Sequence, residues 1–316
     1  MNITPLGVQP QGAVGIHSID HFALAVPDLQ EAERFITAFG LRIRHAHDEL
    51  ELRVEGNEHL WARVSKAAGQ KKRLEYVSLA CYASDLEALR AQVITAGGLI
   101  APQHERAGND GFWFTNPDGL LMQIKVAPKT MPDIKTSLRD ASTSAGARAA
   151  PPRSEAPIAR PARLAHLALF TSNVSRAVDF HQRALGVMVS DRARELIAFT
   201  FAPHGSDHHL LAFLKSNGPG LHHCSWDVLS IGSIGLAAER LRGAGYSHQW
   251  GLGRHVLGSN YFNYISDRWG QWWEHISDID YIPKDTQWDG GNYDEVDGFY
   301  LWGPTVPTDF GTNTEI

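Results

Sequence analysis

Two stretches of the chain carry the same succession of apolar and polar positions. Residues 18–41, SIDHFALAVPDLQEAERFITAFGL, open with an alternating run around His21, pass a capping residue at Asp28, and continue with apolar residues at i, i+3 and i+4 as far as Gly40. Residues 163–187, RLAHLALFTSNVSRAVDFHQRALGV, repeat this with His166, Ser172 and Asn173, and Gly186. Alternation predicts a strand, the 3.6-residue period a helix, and the glycine its end. Each half then supplies a second strand and helix. The strands are Leu74–Cys81 and Leu221–Val228, and the helices are Asp85–Ala96, ending at Gly97-Gly98, and Ile231–Ala244, ending at Gly245. A strand–turn–strand segment closes each half, at 112–126 and 260–276. Repetition at this scale fixes an architecture before any motif does. The pattern predicts an α+β fold of four βαβββ modules, two per half.

Between the halves, residues 129–162 are rich in Ala, Pro, Ser and Arg without hydrophobic periodicity and read as a linker. The expected organisation is therefore an N-terminal domain (1–128), the linker, a C-terminal domain (163–281) and an aromatic-rich tail (282–316). That tail is expected to fold over a site as a lid or to contact a neighbouring subunit of a homo-oligomer. At 316 residues the chain is long enough for two cores. A formal charge of −6 and the lack of a basic patch interleaved with aromatics argue against a nucleic-acid partner. The opening MNITPLGVQPQG has neither the basic nor the apolar region of a signal peptide, and the apolar runs are too short to cross a bilayer. Two distant cysteines, Cys81 and Cys224, exclude a disulfide framework and fit a reducing cytoplasm. Ten of the sixteen histidines and seven of the nine tryptophans follow residue 162, which places the expected chemistry in the second half.

Paired βαβββ modules with a histidine opening one, a histidine in the next and a glutamate near its end resemble the vicinal oxygen chelate (glyoxalase-like) superfamily. Two such domains with the metal in the second are similar to the type I extradiol dioxygenases, over Ile19 to Ile279 apart from the linker. The resemblance implies that each module pair curls into an open barrel around a cavity. It also implies that His166 (in LAHLAL), His223 (in GLHHCSWDV) and Glu274 (in DRWGQWWEHIS) hold Fe(II), with Mn(II) as the alternative for the same ligands. Two imidazoles and one carboxylate on one face leave positions open for substrate and oxygen. Aligning the halves sets His21 against His166, Tyr76 against His223 and Gln123 against Glu274. The first half thus keeps one ligand type of three and is expected to carry no metal.

The resemblance further implies an acid–base role for His209, in SDHHLLAF, and hydrogen bonds from His255 and Tyr264 to the oxygens of a bound catechol. The implied activity is ring cleavage of a substituted catechol, with both atoms of O2 entering the product. Trp226, Trp272 and the loop 256–260 are expected pocket walls. Alternation predicts His208 and His222 on the strand faces opposite their partners and His275 away from Glu274, while His181 is expected to pack within its helix. VLGSNYFN between His255 and Tyr264, His275 after the carboxylate, and the bulky Trp272-Trp273 pair depart from the commonest members and leave the ring that is cut open. The competing readings are a glyoxalase-like isomerase or thiol transferase, and a non-catalytic protein that sequesters an aromatic ligand.

Overall fold

The computed structural model describes residues 13–108, 110–140 and 142–316; the segment 1–12, read above for a leader, lies outside the described residues. The first half runs β1 (Ile16–Val26), α1 (Leu29–Phe39), β2 (Arg42–Ala46), β3 (Glu49–Val54), β4 (Asn57–Lys66), β5 (Arg73–Cys81), α2 (Leu86–Ala96), β6 (Leu99–Ala101), β7 (Phe112–Thr115) and β8 (Leu121–Val126). This is βαβββ twice, joined in one sheet of order β2-β3-β4-β1-β5-β8-β7-β6. The second half repeats it with β9 (Arg163–Thr171), α3 (Val174–Leu185), β10 (Met188–Ala193), β11 (Ile197–Phe201), a two-residue β12 (Ser206–Asp207) and β13 (Leu211–Lys215). Then follow β14 (Gly220–Asp227), α4 (Ile231–Gly243), β15 (Gln249–His255), β16 (Tyr261–Ser266) and β17 (Trp272–Ser277).

Local chemistry sets the helix limits. The Asp28 side chain accepts from the backbone N–H groups of Gln30 and Glu31, and Gly40, at φ +108°, turns the chain out of α1. Asn173 and Gly186 do the same for α3. Strands β1, β9, β14 and β17 are buried along their whole length, because one face meets the helices and the core while the other lines a barrel interior. The core is continuous between the halves. Phe39 of α1 stacks on His275 at 3.8 Å and meets Trp226 and Trp273 edge-on. Burying a side chain such as Phe39 contributes roughly 1.5–3 kcal/mol.

Among the described residues of 129–162 there is no strand, and the one helical element is a single 3-10 turn at Arg153–Glu155. The segment is nonetheless tied to both halves. The Thr130 N–H donates to Ser18 Oγ at 3.2 Å, and Asp140 accepts from Ile231 N at 2.7 Å at the start of α4. The tail adds β18 (Tyr281–Ile282), β19 (Asn292–Tyr293), α5 (Glu295–Gly298) and β20 (Tyr300–Trp302). It is built into the second sheet, whose order is β19-β10-β11-β13-β9-β14-β17-β16-β15-β20, so it covers both edges. No helix among the described residues is long and apolar enough to cross a membrane.

Candidate metal centre

Strand β14 lies between β9 and β17, and the register brings three ligand-type side chains together. Ser225 pairs with His166 on one side and with Glu274 on the other, while His223 pairs with Ala168 and Trp272. Nε2 of His166 lies 3.2 Å from Nε2 of His223 and 3.2 Å from Oε2 of Glu274, and His223 Nε2 is 3.7 Å from that same oxygen. A divalent ion with ~2.0–2.2 Å bonds to imidazole nitrogen and carboxylate oxygen needs donors about 3–3.6 Å apart, so the three atoms fit one ion. The Glu274 carboxylate is fully buried, and neither oxygen accepts a well-formed hydrogen bond. A buried carboxylate is costly unless it is paired, and here the atoms nearest to it are imidazole nitrogens, a donor set that suits a divalent cation. Burial by itself raises the Glu274 carboxyl, but the imidazoles of His166, His255 and His223 outweigh it and hold the group well below its usual range. Burial pushes His223 well below the ordinary imidazole range against the pull of Glu274, which leaves a neutral ring with a lone pair to give.

The other three expected site residues converge on the same place. The ring of His209, in the turn before β13, packs 4.0 Å from that of His166. Burial, reinforced by His166, His208, His223 and His255, pushes it well below the usual imidazole value. His255, the last residue of β15, places Nε2 3.0 Å from the Tyr264 hydroxyl. Burial and the nearby Glu274 raise the Tyr264 phenol well above its usual value, so it stays a donor. All six residues line one cavity of about 670 Å³. Its other walls are mostly apolar: Leu196, Ile197, Phe199 and Leu214 from the first module, Leu257 from the loop before β16, and Val296, Phe299, Leu301 and Phe310 from the tail. Of the expected walls, the 256–260 loop is present through Leu257 and Asn260. Trp226 instead faces the core against Phe39, because it alternates with the inward-facing Ser225. Trp272 is covered by Phe310, which takes the wall position itself.

One histidine is not where strand alternation places it. A register shift between Leu221 and His223 inserts a bulge, so His222 lines the same cavity as His223 and its Nδ1 lies 2.6 Å from His223 Nδ1. His208 lies in a turn rather than a strand, and bridges His209 Nδ1 at 3.0 Å to Asp191 Oδ2 at 2.7 Å. His275 does point away, donating to the Phe39 carbonyl, and His181 donates to the Ala177 carbonyl one helical turn back. His204 and His248, left without a part in the sequence, meet Asp85 at 3.0 Å and Asp309 at 2.9 Å. The supporting roles of His222, His208 and Asp191 had no sequence signal beyond the doubled histidines.

The first half repeats the register with a different outcome. Ser78 pairs with His21 and with Gln123 as Ser225 does with His166 and Glu274. There the polar groups satisfy one another. Ser78 Oγ donates to Gln123 Oε1 at 2.7 Å, Gln123 Nε2 donates to the Asp110 carbonyl at 2.7 Å, and His21 sits between Asp20 Oδ2 (2.6 Å) and Tyr76 OH (3.1 Å).

Comparison with known proteins points the same way. Residues 18–124 and 163–275 each match the model of the Glyoxalase/Bleomycin resistance protein/Dioxygenase superfamily. Metapyrocatechase 2 of Cupriavidus necator is 45% identical over 300 residues, covering 95% of this chain and 93% of that protein. Among solved structures, a Mn(II)-bound glyoxalase from Novosphingobium aromaticivorans superposes with a TM-score of 0.75 at 26% identity, over 95% of this chain and 94% of its own. A halotolerant catechol dioxygenase superposes with a TM-score of 0.74 at 20% identity, over 94% and 97% of the two chains, a likeness of fold.

Proposed function

Because the chain belongs to the Glyoxalase/Bleomycin resistance protein/Dioxygenase superfamily, we propose that it is an extradiol dioxygenase that opens the ring of a substituted catechol with O2. The observation that carries this reading is the fully buried Glu274 carboxylate within ligand reach of His166 and His223 in the wall of a largely apolar cavity. His166, His223 and Glu274 would hold Fe(II), with Mn(II) suited to the same set. The bound ion would supply a common template for the two catechol oxygens and O2 and a path for electron density between them.

The remaining steps belong to side chains. The Tyr264 hydroxyl, held by His255 Nε2 at 3.0 Å, presents its remaining lone pairs to orient a catechol hydroxyl. His209, kept neutral, takes the proton that a catechol hydroxyl gives up on binding and returns it as the ring opens. The carbon–carbon bond beside one hydroxyl-bearing carbon breaks, and both atoms of O2 remain in the product. Walls such as Phe199, Leu257 and Phe299 exclude water around these transfers. Glu274 and Glu295 are the acidic lining residues and no Lys or Arg lines the cavity among the described residues, so the ring substituent is neutral and apolar rather than a carboxylate. The glyoxalase-like and non-catalytic readings would need neither His209 nor the Tyr264–His255 pair beside the ligand set.

Anaerobic reconstitution with Fe(II) or Mn(II), followed by oxygen-uptake measurements on a panel of catechols, tests the proposal. A yellow ring-opened product is expected from alkyl- or aryl-substituted catechols, and neither product nor uptake from His223→Ala or Glu274→Gln. Full metal loading with no oxygen uptake on any catechol would refute it.

A further inference from the structure

We infer that the C-terminal tail sets the tautomers of two site histidines through its backbone carbonyls, which makes His222 a positioning residue for His223. Nε2 of His222 lies 2.7 Å from the carbonyl oxygen of Phe310. A carbonyl only accepts, so this nitrogen carries the ring proton. The ring is buried between that carbonyl and His223, with no carboxylate bonded to it, and a neutral imidazole has one N–H. Its Nδ1 is therefore an acceptor. At 2.6 Å from it, His223 Nδ1 must donate. That leaves the lone pair of His223 on Nε2, the atom that faces His166 and Glu274. With the Phe310 carbonyl gone, the pair could reverse: His222 Nδ1 would donate, and the proton of His223 would sit on the nitrogen required for the metal.

The same reasoning applies at His255. Its Nδ1 donates to the Phe299 carbonyl at 2.9 Å, so its Nε2 accepts from the Tyr264 hydroxyl at 3.0 Å. The tail is held in register for this. Asn313 Nδ2 donates to the carbonyls of Gly218 and Pro219 at 3.1 and 3.0 Å, and Glu315 accepts from Leu221 N, the residue before His222, at 2.9 Å. Two carbonyls of one segment thus govern a metal-binding nitrogen and a substrate-facing hydroxyl.

The inference rests on the reading of His223 as a metal ligand, and the test separates the two. Mn(II) affinity of the full chain is measured by competition with a chelator for the parent, His222→Phe and His222→Gln. The phenyl ring keeps the packing but cannot accept from His223, and is expected to weaken binding 10–100-fold. The glutamine amide can accept from His223 through oxygen and donate to Phe310 through nitrogen, and is expected to stay within about threefold of the parent, the small loss of a retained hydrogen-bond pattern. Parental affinity in His222→Phe, or equal weakness in both variants, overturns the inference. No Mn(II) binding by the parent overturns the metal reading itself, and this inference with it. Should His222→Phe not fold, nitrogen-15 spectra of the histidine-labelled, metal-free parent decide: protonated His223 Nδ1 and His222 Nε2 are expected, and a protonated His222 Nδ1 overturns the proposal.

Discussion

Replacing Glu315 by glutamine removes one charge from a site that the two halves share. The Lys72 side chain is 1% exposed and that of Glu315 6%, and Lys72 Nζ lies 2.8 Å from Glu315 Oε1 and 3.1 Å from the Leu221 carbonyl. Glu315 also accepts from Leu221 N through Oε1 and from Leu74 N through Oε2, both at 2.9 Å. Its carboxylate therefore receives N–H donors from two strands in different sheets, Leu74 of β5 and Leu221 of β14, and a third from Lys72 just before β5. A glutamine turned to keep the Lys72 and Leu221 contacts faces its own NH2 against the Leu74 N–H. The ammonium also loses its counter-charge where water cannot replace it. Breaking a buried pair from one side costs about 3–5 kcal/mol, of which the orphaned N–H is about 1–3. At 316 residues, with about 2.1 cal/mol/K of unfolding entropy per residue, that corresponds to a fall of roughly 5–8 °C in Tm. The double variant Lys72→Met/Glu315→Gln removes the stranded ammonium and should recover part of the loss, with a coupling of about 2 kcal/mol across the cycle. Calorimetric melts of the four proteins measure this directly. A Glu315→Gln protein that melts within 1 °C of the parent, a difference worth about 0.7 kcal/mol or less at this size, would show that the pair does not tie the tail to the sheets.

Two further outcomes test the site and its frame. His209→Ala is expected to keep its metal and to lose about 10²–10⁴-fold in turnover, the usual worth of a positioned acid–base group; loss of the metal would make His209 a ligand instead. Burial pushes the Asp267 carboxyl up from 3.8 to about 6, against the N–H groups of Gln271 and Trp269 that it accepts from. A folded value above the unfolded one means that its contribution is present in acid and lost as pH rises through 6, about 3 kcal/mol in all. Asp267→Asn should thus gain stability relative to the parent between pH 4.5 and 7.5 in denaturant titrations, and parallel curves would exclude that assignment.

The parts of this structure that were legible in the sequence are those governed by side-chain period. Strands β1, β9, β14 and β17 and the first helix of each module follow from alternation, apolar spacing and glycine ends, and the repeat of that pattern gives the two-sheet α+β fold. Trp226 was misplaced although alternation along β14 from the inward-facing His223 already sets it on the opposite face, against α1. His222 was misplaced because a bulge breaks alternation, and a bulge leaves no mark in residue types. The tail was illegible for a different reason. Its strands are two or three residues long, and what it offers the site is mainly the carbonyls of Phe299 and Phe310, which every residue possesses. Lys72 and Glu315 are 243 residues apart, and nothing in either neighbourhood announces the other.

The comparison of halves gives the metal reading its physical weight. In both, a serine of the central strand faces a histidine on one side and an amide or carboxylate side chain on the other. Glutamine and glutamate have the same shape, so packing does not distinguish Gln123 from Glu274. Hydrogen bonding does. Gln123 is satisfied by Ser78 and the Asp110 carbonyl, whereas Ser225 Oγ has no hydrogen-bond partner and Glu274 meets imidazole nitrogens alone, His166 Nε2 nearest at 3.2 Å. A buried charge costs several kcal/mol unless it is paired, and the neighbouring domain shows that the same scaffold can do without the charge by using one amide. His21 is even prepared as a ligand would be, with Asp20 on Nδ1, but its Nε2 is occupied by Tyr76. The Tyr76 ring, packed 5.0 Å from that of Trp113, also occupies the position that His223 holds in the second half. The first half therefore closes its polar groups on one another and fills the space, whereas the second sets a buried carboxylate beside two imidazoles in the wall of a cavity.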